Sequence, residues 1–387
     1  MFRISRFQEL IRHLPRGRFD NLVRRREADK HCKGFTPWNH MTAMVYGQLA
    51  DARSLRQIVT GFNAHRAHHY HLDARRELSR STLADANATR SPELFADVAR
   101  SLMSELHEGM RRSCKELLYL LDSTAIMLKG PGFDEWTLPQ RTRHVQGMKL
   151  HLMYCEQGRA PSWYSITRGN ASDVSQGRQV PLERGSVYVF DKGYYDFDWW
   201  HSIHRAGATF VTRWKSNAAL KVQRALAPEG EDIVGDDLVS FAIRTPRGGK
   251  RNAYDGVLRR VSVAREGKPP LLLATNDLDS PASVIAQRYK ARWQVELYFK
   301  WIKQHLGIKR YCGRNENAVR IQILSALIAY MLLRLEHVAN AANEDLWTFT
   351  THVRASLFQR PQAERSLEER RRRRLEELNA VQGALAL

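Results

Sequence analysis

The chain has 387 residues, and its 61 Lys and Arg against 41 Asp and Glu give a formal charge of +20, which favours a polyanionic partner, nucleic acid ahead of an acidic membrane surface. No run approaches the ~18 apolar residues of a membrane span, and the amphipathic start, Met1 to Leu10, lacks the apolar run and small-residue cleavage site of a signal peptide. Four scattered cysteines (Cys32, Cys114, Cys155, Cys312) suit a reducing cytosol and argue against a cysteine-based zinc site.

Residues 1 to about 105 read as mostly helical. Phe7, Leu10, Ile11 and Leu14 have helical spacing before Pro15, Trp38 to Leu49 is a second apolar run, and Ser54 to Phe62 a short helix. Ser79 starts a capped helix like the second helix of a helix-turn-helix, a pattern many ordinary caps share. Four histidines between His65 and His71 have metal-ligand spacings, but no acidic or cysteine partner lies near, so a polar helix end is the simpler reading.

From Leu117 the pattern changes. Leu117 to Leu128 is a nearly continuous apolar run, as in a central strand covered on both faces, with Asp122 inside it. A Gly/Pro turn at 130–132 precedes strands at Lys149 to Glu156 and Trp163 to Thr167. A polar stretch with Asn170 and Asp173 leads to a short buried strand from Val187 that ends at Asp191. A helix from Asp196 to Ile203 and a strand from Ala208 to Trp214 complete an α/β pattern. Between 215 and 285 glycines, prolines and alternating runs such as Asp255 to Val263 and Leu271 to Thr275 indicate a mainly β insertion.

Tyr289 to Lys303 contains no proline or glycine and reads as one helix. Tyr289, Arg292, Glu296 and Lys303 fall within roughly 60° of arc, while Val295, Leu297, Phe299, Trp301 and Ile302 can bury on the other faces. Alone, Arg292 and Glu296 are an ordinary i,i+4 pair. A long apolar helix follows from Ala318 to about Val338, and a charged tail with Arg370 to Arg374 reads as a solvated helix.

A charge in an apolar strand is costly unless compensated. One such aspartate is explained by a turn or an arginine partner. Two strand-borne aspartates and a helix-borne glutamate are explained more economically by a shared divalent cation, and hard oxygen ligands suit Mg²⁺ or Mn²⁺. Two such ions ~4 Å apart can activate a water or 3′-hydroxyl and stabilise the leaving oxygen of a phosphodiester.

Asp122, Asp191 and Glu296, with Tyr289-x2-Arg292-x3-Glu296-x6-Lys303, resemble the DDE signature of insertion-sequence transposases of the insertion-sequence-four family, which includes the transposon-five type. Asp191-Lys-Gly-Tyr-Tyr-Asp-Phe is similar to that family's motif around its second aspartate, and the resemblance spans about 117 to 335. It implies an α/β fold: a ribonuclease-H-like catalytic core interrupted by a mainly β insertion and preceded by a helical N-terminal DNA-binding domain. The expected domains are 1–110 for end binding, 111–214 for the first part of the core, 215–285 for the insertion, 286–345 for the second part of the core, and 346–387 for the tail.

The implied activity is cut-and-paste DNA transposition: nicking, a hairpin intermediate, and joining to target DNA. Asp122, Asp191 and Glu296 would hold two Mg²⁺ (or Mn²⁺) ions per site, with Arg292, Lys303 and Tyr289 on the DNA backbone. The partners would be double-stranded DNA, both inverted-repeat ends and target, with a second copy in a DNA-bridged dimer. No membrane is implied, and the location would be the bacterial cytoplasm at the nucleoid. The transposon-five type stacks a flipped base on a Trp of its insertion. Here no Trp occurs between Trp214 and Trp293, so Trp214, beside Arg213, is the first substitute, ahead of Phe241 and Tyr254. The alternatives are a metal-dependent nuclease without strand transfer, which does not need the Tyr-Arg-Lys stripe, and a silent DNA-binding repressor or decayed copy, which does not need three acids.

Overall fold

A computed structural model describes residues 5–74, 77–215, 217–243, 252–308, 310–340 and 344–359; the arginine run 370–374 lies outside them. The chain divides into two compact units, one of 1–102, 310–313 and 317–387, the other of 103–309 and 314–316.

The first unit begins with α1 (Arg6–Arg12), α2 (Arg16–Arg26), α3 (Pro37–Leu49), α4 (Leu55–Ala64) and α5 (Arg80–Thr89). A long helix, α6 (Glu93–Ser113), carries the chain into the second unit. Ser5, Thr36, Ser54 and Ser79 cap α1, α3, α4 and α5, each accepting from the N–H three residues on. Phe7, Leu10, Ile11 and Leu14 are buried together, as their spacing requires. The histidine-rich segment is a short 3₁₀ turn (Arg66–His68) followed by buried His69, which bonds the carbonyl of Phe62 at 2.9 Å.

The second unit is a single sheet with helices against it. Its elements are β1 (Leu118–Met127), α7 (Asp134–Thr137), β2 (Gly147–Cys155), β3 (Ala160–Arg168), α8 (Asp173–Gly177), β4 (Val187–Phe190), α9 (Phe197–Arg205) and β5 (Thr209–Arg213). Then come β6 (Leu220–Ala225), β7 (Ile233–Phe241), β8 (Leu258–Val263), β9 (Leu271–Thr275), α10 (Ala282–Ala291) and α11 (Trp293–His305). The strand order is β3-β2-β1-β4-β5-β9-β8-β7-β6. β1, β4 and β5 are parallel, and the remaining pairs are antiparallel. The strands expected between 215 and 285 therefore prolong the sheet beyond β5.

Alternation sorts the side chains to two faces. Tyr119, Leu121, Tyr188, Phe190 and Phe210 enter an aromatic core with Trp199, Trp200 and Ile203 of α9. On the other face lie Asp122 and Thr124, reached by Arg292 and by Lys303 of α11, while α10 packs along β4, β5 and β7 to β9.

The first unit is completed by α12 (Glu316–Ala339) and α13 (Leu346–Ala355). α13 occupies the start of the segment expected to be a charged tail. Against the expectation that no segment approaches a membrane span, α12 is long and apolar enough to cross one by length and composition, and 83% of its most apolar stretch is buried inside the protein, as in a core helix. Arg320, Gln322 and Ser325 interrupt the run in sequence without lowering its mean hydropathy enough to matter.

The single helix expected over 289–303 is two helices that meet at Arg292. Arg292 keeps helical dihedrals, but the N–H of Arg292 bonds Tyr289 and that of Val295 bonds Arg292, both three residues back. This tightened turn needs no proline or glycine, so composition does not reveal it. Val295, Phe299 and Ile302 are buried as expected; Leu297 is exposed, and Tyr298 takes a buried place instead.

Candidate active site

Leu118 to Leu121 are buried, and Asp122 is the first residue of β1 to emerge from the core. The last rung between β1 and β4 pairs Leu121 with Phe190, so Asp122 and Asp191 each follow that rung, Asp122 within β1 and Asp191 just past the end of β4. Asp191 ends the strand by accepting from the N–H of Gly193 at 2.7 Å. A Cβ on Gly193 would stand 2.8 Å from that carboxylate oxygen, so the glycine is what lets the turn close around Asp191. Asp122 accepts from the N–H of Ser123 at 2.8 Å.

Glu296 lies in the first turn of α11. Arg292 joins it to the strand: Nη2 donates to Glu296 at 2.6 Å, and Nη1 stands 3.4 Å from Asp122 Oδ2. Arg292 Nε is buried without a hydrogen-bond partner. The Asp122 carboxyl is pushed up to about 6, first by burial and then by the charges of Asp191 and Glu296, against the opposing pull of Ser123 N–H and Arg292. The three acids therefore lie close enough to feel one another.

Tyr289 sits one turn before Arg292, whose guanidinium carbon is 5.9 Å from its ring centre. Burial pushes its phenol up, while Arg292 and Arg213 pull it down. Arg213 ends β5 on the same face as Asp191, two strand positions past Val211. Lys303 donates to Thr124 of β1 at 2.5 Å. The structure thus gathers Asp122, Asp191, Glu296, Tyr289, Arg292, Lys303 and Arg213. Trp214 is not among them and is corrected as a stacking residue: it is 6% exposed, in edge contact with Trp200 and Phe241, and its ring presents no open face to a base. Tyr254 is likewise buried, and Phe241 packs against the same core.

The donor set is of the right kind for a hard divalent cation: carboxylate oxygens only, with mutual repulsion that a cation relieves. Among the described residues, however, no three His, Cys, Asp or Glu side chains stand together as a ready metal cage. The Arg292 guanidinium is the cation between Asp122 and Glu296.

Two features escaped the sequence. Trp293, adjacent to Arg292, is 56% exposed. With Tyr289, Lys290 and Arg292 it lines a cavity of about 560 Å³ floored by Ile233, Val263, Leu271 and Leu273. Behind the strand, Ser123 donates to Asp173 Oδ1 at 2.9 Å, with Lys149 Nζ at 3.4 Å and His151 Nδ1 at 3.3 Å from the same oxygen. Burial lowers His151 to about 4, so it is a neutral partner there at pH 7. This set fixes the residue next to Asp122 from the opposite face. Its only trace in the sequence was the polar stretch at Asn170 and Asp173.

Residues 113–332 match the family described as the transposase DDE domain, and residues 3–75 match a domain of unknown function, DUF4372. The chain is 40% identical to y4zB of Sinorhizobium fredii, a protein named as a transposase, over 72% of this chain and 77% of that one. It is 28% identical to a Geobacillus stearothermophilus protein named as a transposase for insertion sequence element IS5377, over 63% and 65% of the two chains. Against a Synechocystis protein named as a transposase for element IS4SA the identity is 26%, over 66% and 71%.

Proposed function

The chain belongs to the DDE transposases, of the insertion-sequence-four kind, and from that premise we propose that it moves its element by cut-and-paste transposition with Asp122, Asp191 and Glu296 as the catalytic acids. The observation that carries this reading is the placement of the two aspartates directly after the last paired rung of two neighbouring parallel strands, Leu121 with Phe190, with Glu296 joined to Asp122 through a single guanidinium. The β3-β2-β1-β4-β5 order supports a ribonuclease-H-like core over 111–214 and 286–345, with 215–285 inserted after β5. The capped helices of 1–110 would bind the element ends.

Asp122, Asp191 and Glu296 would hold two Mg²⁺ (or Mn²⁺) ions. Bound there, the ions would activate the attacking water or 3′-hydroxyl and stabilise the departing oxygen. Water would add to phosphorus at the element end and release a 3′-hydroxyl. That hydroxyl would attack the opposite strand and close a hairpin, which a second water reopens before the 3′-end is joined to target DNA. Arg292 and Lys303 supply cations beside the acids, and the guanidinium suits two phosphate oxygens at once. Tyr289 lies against Arg292 and would share the same backbone contact. The ring open to an unstacked base is Trp293, in place of Trp214. Joining two ends calls for a second copy of the chain across the DNA.

The test is to incubate the protein and Mg²⁺ with a labelled duplex that spans an element end and its flank, then run a denaturing gel. A nick followed by a hairpin is expected. Nicks without hairpins or joined products would convert the reading to a nuclease, and intact DNA would overturn it.

A further inference from the structure

The connection between β1 and β2, residues 128–146, carries charge that nothing in the site described above uses. Its shape is set by its own hydrogen bonds. Asp134 accepts from Gly130 N at 2.9 Å and from Gln146 Nε2 at 2.7 Å, and Leu128 N bonds Gln146 O at 3.0 Å. Thr142 Oγ1 accepts from the N–H of His144 at 3.3 Å and of Val145 at 2.9 Å, which folds the tip into a tight turn. Gly147, at φ 138°, lets the chain return: a Cβ there would stand 2.1 Å from the carbonyl oxygen of Ile126.

The basic side chains of this ordered connection take no part in holding it. Lys129, Arg141, Arg143 and His144 are exposed, and among the described residues none makes an ion pair. With Thr142, Val145 and Gln146 they line an open cavity of about 440 Å³ that contains no carboxylate. The acids of the connection are elsewhere: Asp134 holds the turn, and Glu135 lies on α7 outside the cavity. Arg168, also exposed, ends β3 opposite Met148, beside the point where the connection rejoins the sheet.

β1 is the ruler between this patch and the acids. It runs five residues from Asp122 to Met127, about 16 Å at the rise of an extended strand. Duplex DNA advances about 3.4 Å per base pair, so the patch stands about five base pairs from Asp122. Lys303, bonded to Thr124, lies on the way.

We propose that this connection is a phosphate-gripping arm, in which Lys129, Arg141, Arg143 and Arg168 hold the backbone of the donor duplex about five base pairs from the phosphate being cut. The inference rests on the reading that the scissile phosphate sits at Asp122, Asp191 and Glu296. Such contacts carry no base specificity; they fix the angle at which the duplex enters.

The test compares the full chain with the triple variant Lys129→Gln, Arg141→Gln, Arg143→Gln. Each binds a labelled duplex that spans an element end and its flank, across about 50 to 200 mM salt. Three lost phosphate contacts should lower the slope of log affinity against log salt by about 2 to 3. In a second series the duplex carries neutral methylphosphonate linkages. Those about five base pairs from the cut should weaken the wild type and leave the triple variant no weaker than it already is. An unchanged slope, or neutral linkages that weaken both proteins equally, overturns the arm while leaving the transposase reading intact. An effect confined to linkages in the target duplex also overturns it. A wild type that binds no duplex overturns both readings.

Discussion

Arg259 and Arg292 both meet carboxylates at the same sheet, and they are built in opposite ways. Arg259 of β8 grips Asp236 of β7 through two bonds, 2.8 and 2.6 Å, and gives its remaining Nη1 to the carbonyl of Ser280 at 2.6 Å. The side chains are 6% and 2% exposed, and all three nitrogens of the guanidinium are hydrogen-bonded. Arg292 is shared between two acids, keeps one long contact and leaves Nε without a partner. Its carboxylates, Asp122 and Glu296, are 21% and 32% exposed. The first arrangement is buried and so closed to a ligand. The second contains repulsion that the fold retains and only partly neutralises, as expected of a site that awaits cations and a polyanion.

Three substitutions sharpen that contrast. Arg259→Met should have the largest effect on folding, about 3–5 kcal/mol by chemical denaturation, because it leaves Asp236 charged and buried; a loss below about 1 kcal/mol would mean the pair is not closed in solution. Arg292→Ala should slow hairpin formation by about 10²–10³, roughly 2.7–4 kcal/mol, and slow first nicking less. An equal loss at every step would assign Arg292 a general structural role. Asp122→Asn should stabilise the protein. The folded carboxyl titrates at about 6, above its ordinary 3.8, so the folded state holds the proton more tightly and ionisation destabilises it. The penalty is absent below the unfolded value, grows as pH rises through the folded one, and is full at pH 7, where the gain from Asn is on the order of 1–3 kcal/mol in the presence of a chelator. Denaturant midpoints at pH 7 and 5 measure it, and a gain that does not shrink at pH 5 would contradict the sign.

How much of this was legible depends on the kind of information each residue carries. Asp122 and Asp191 stood out because one lies inside an apolar strand and the other ends one, and strand burial is written in composition. Glu296 and its stripe stood out through helical spacing, although the turn at Arg292, a matter of hydrogen-bond pattern, did not. Trp214 was misplaced because a tryptophan count along the sequence says nothing about which face of a sheet end is covered; Trp200 and Phe241 cover it. Trp293 was overlooked for the converse reason. Asp173 and Ser123 are 50 residues apart and meet only because β1 and β2 pair Ser123 with His151 and α8 closes over them. The cations of the β1–β2 connection were visible as residues, but their distance from the acids exists only once β1 is a strand.

In the proposed function Asp122, Asp191 and Glu296 act as one centre for cutting DNA. Glu296→Gln tests it most directly, because it removes one charge at constant size. With a labelled element-end duplex and Mg²⁺, the variant should bind within about twofold of the wild type, because the role proposed for Glu296 is to hold metal rather than the duplex at large, while cleavage falls by at least about 10³. Cleavage by the variant at a rate comparable to the wild type would rule out Glu296 as a metal-holding acid.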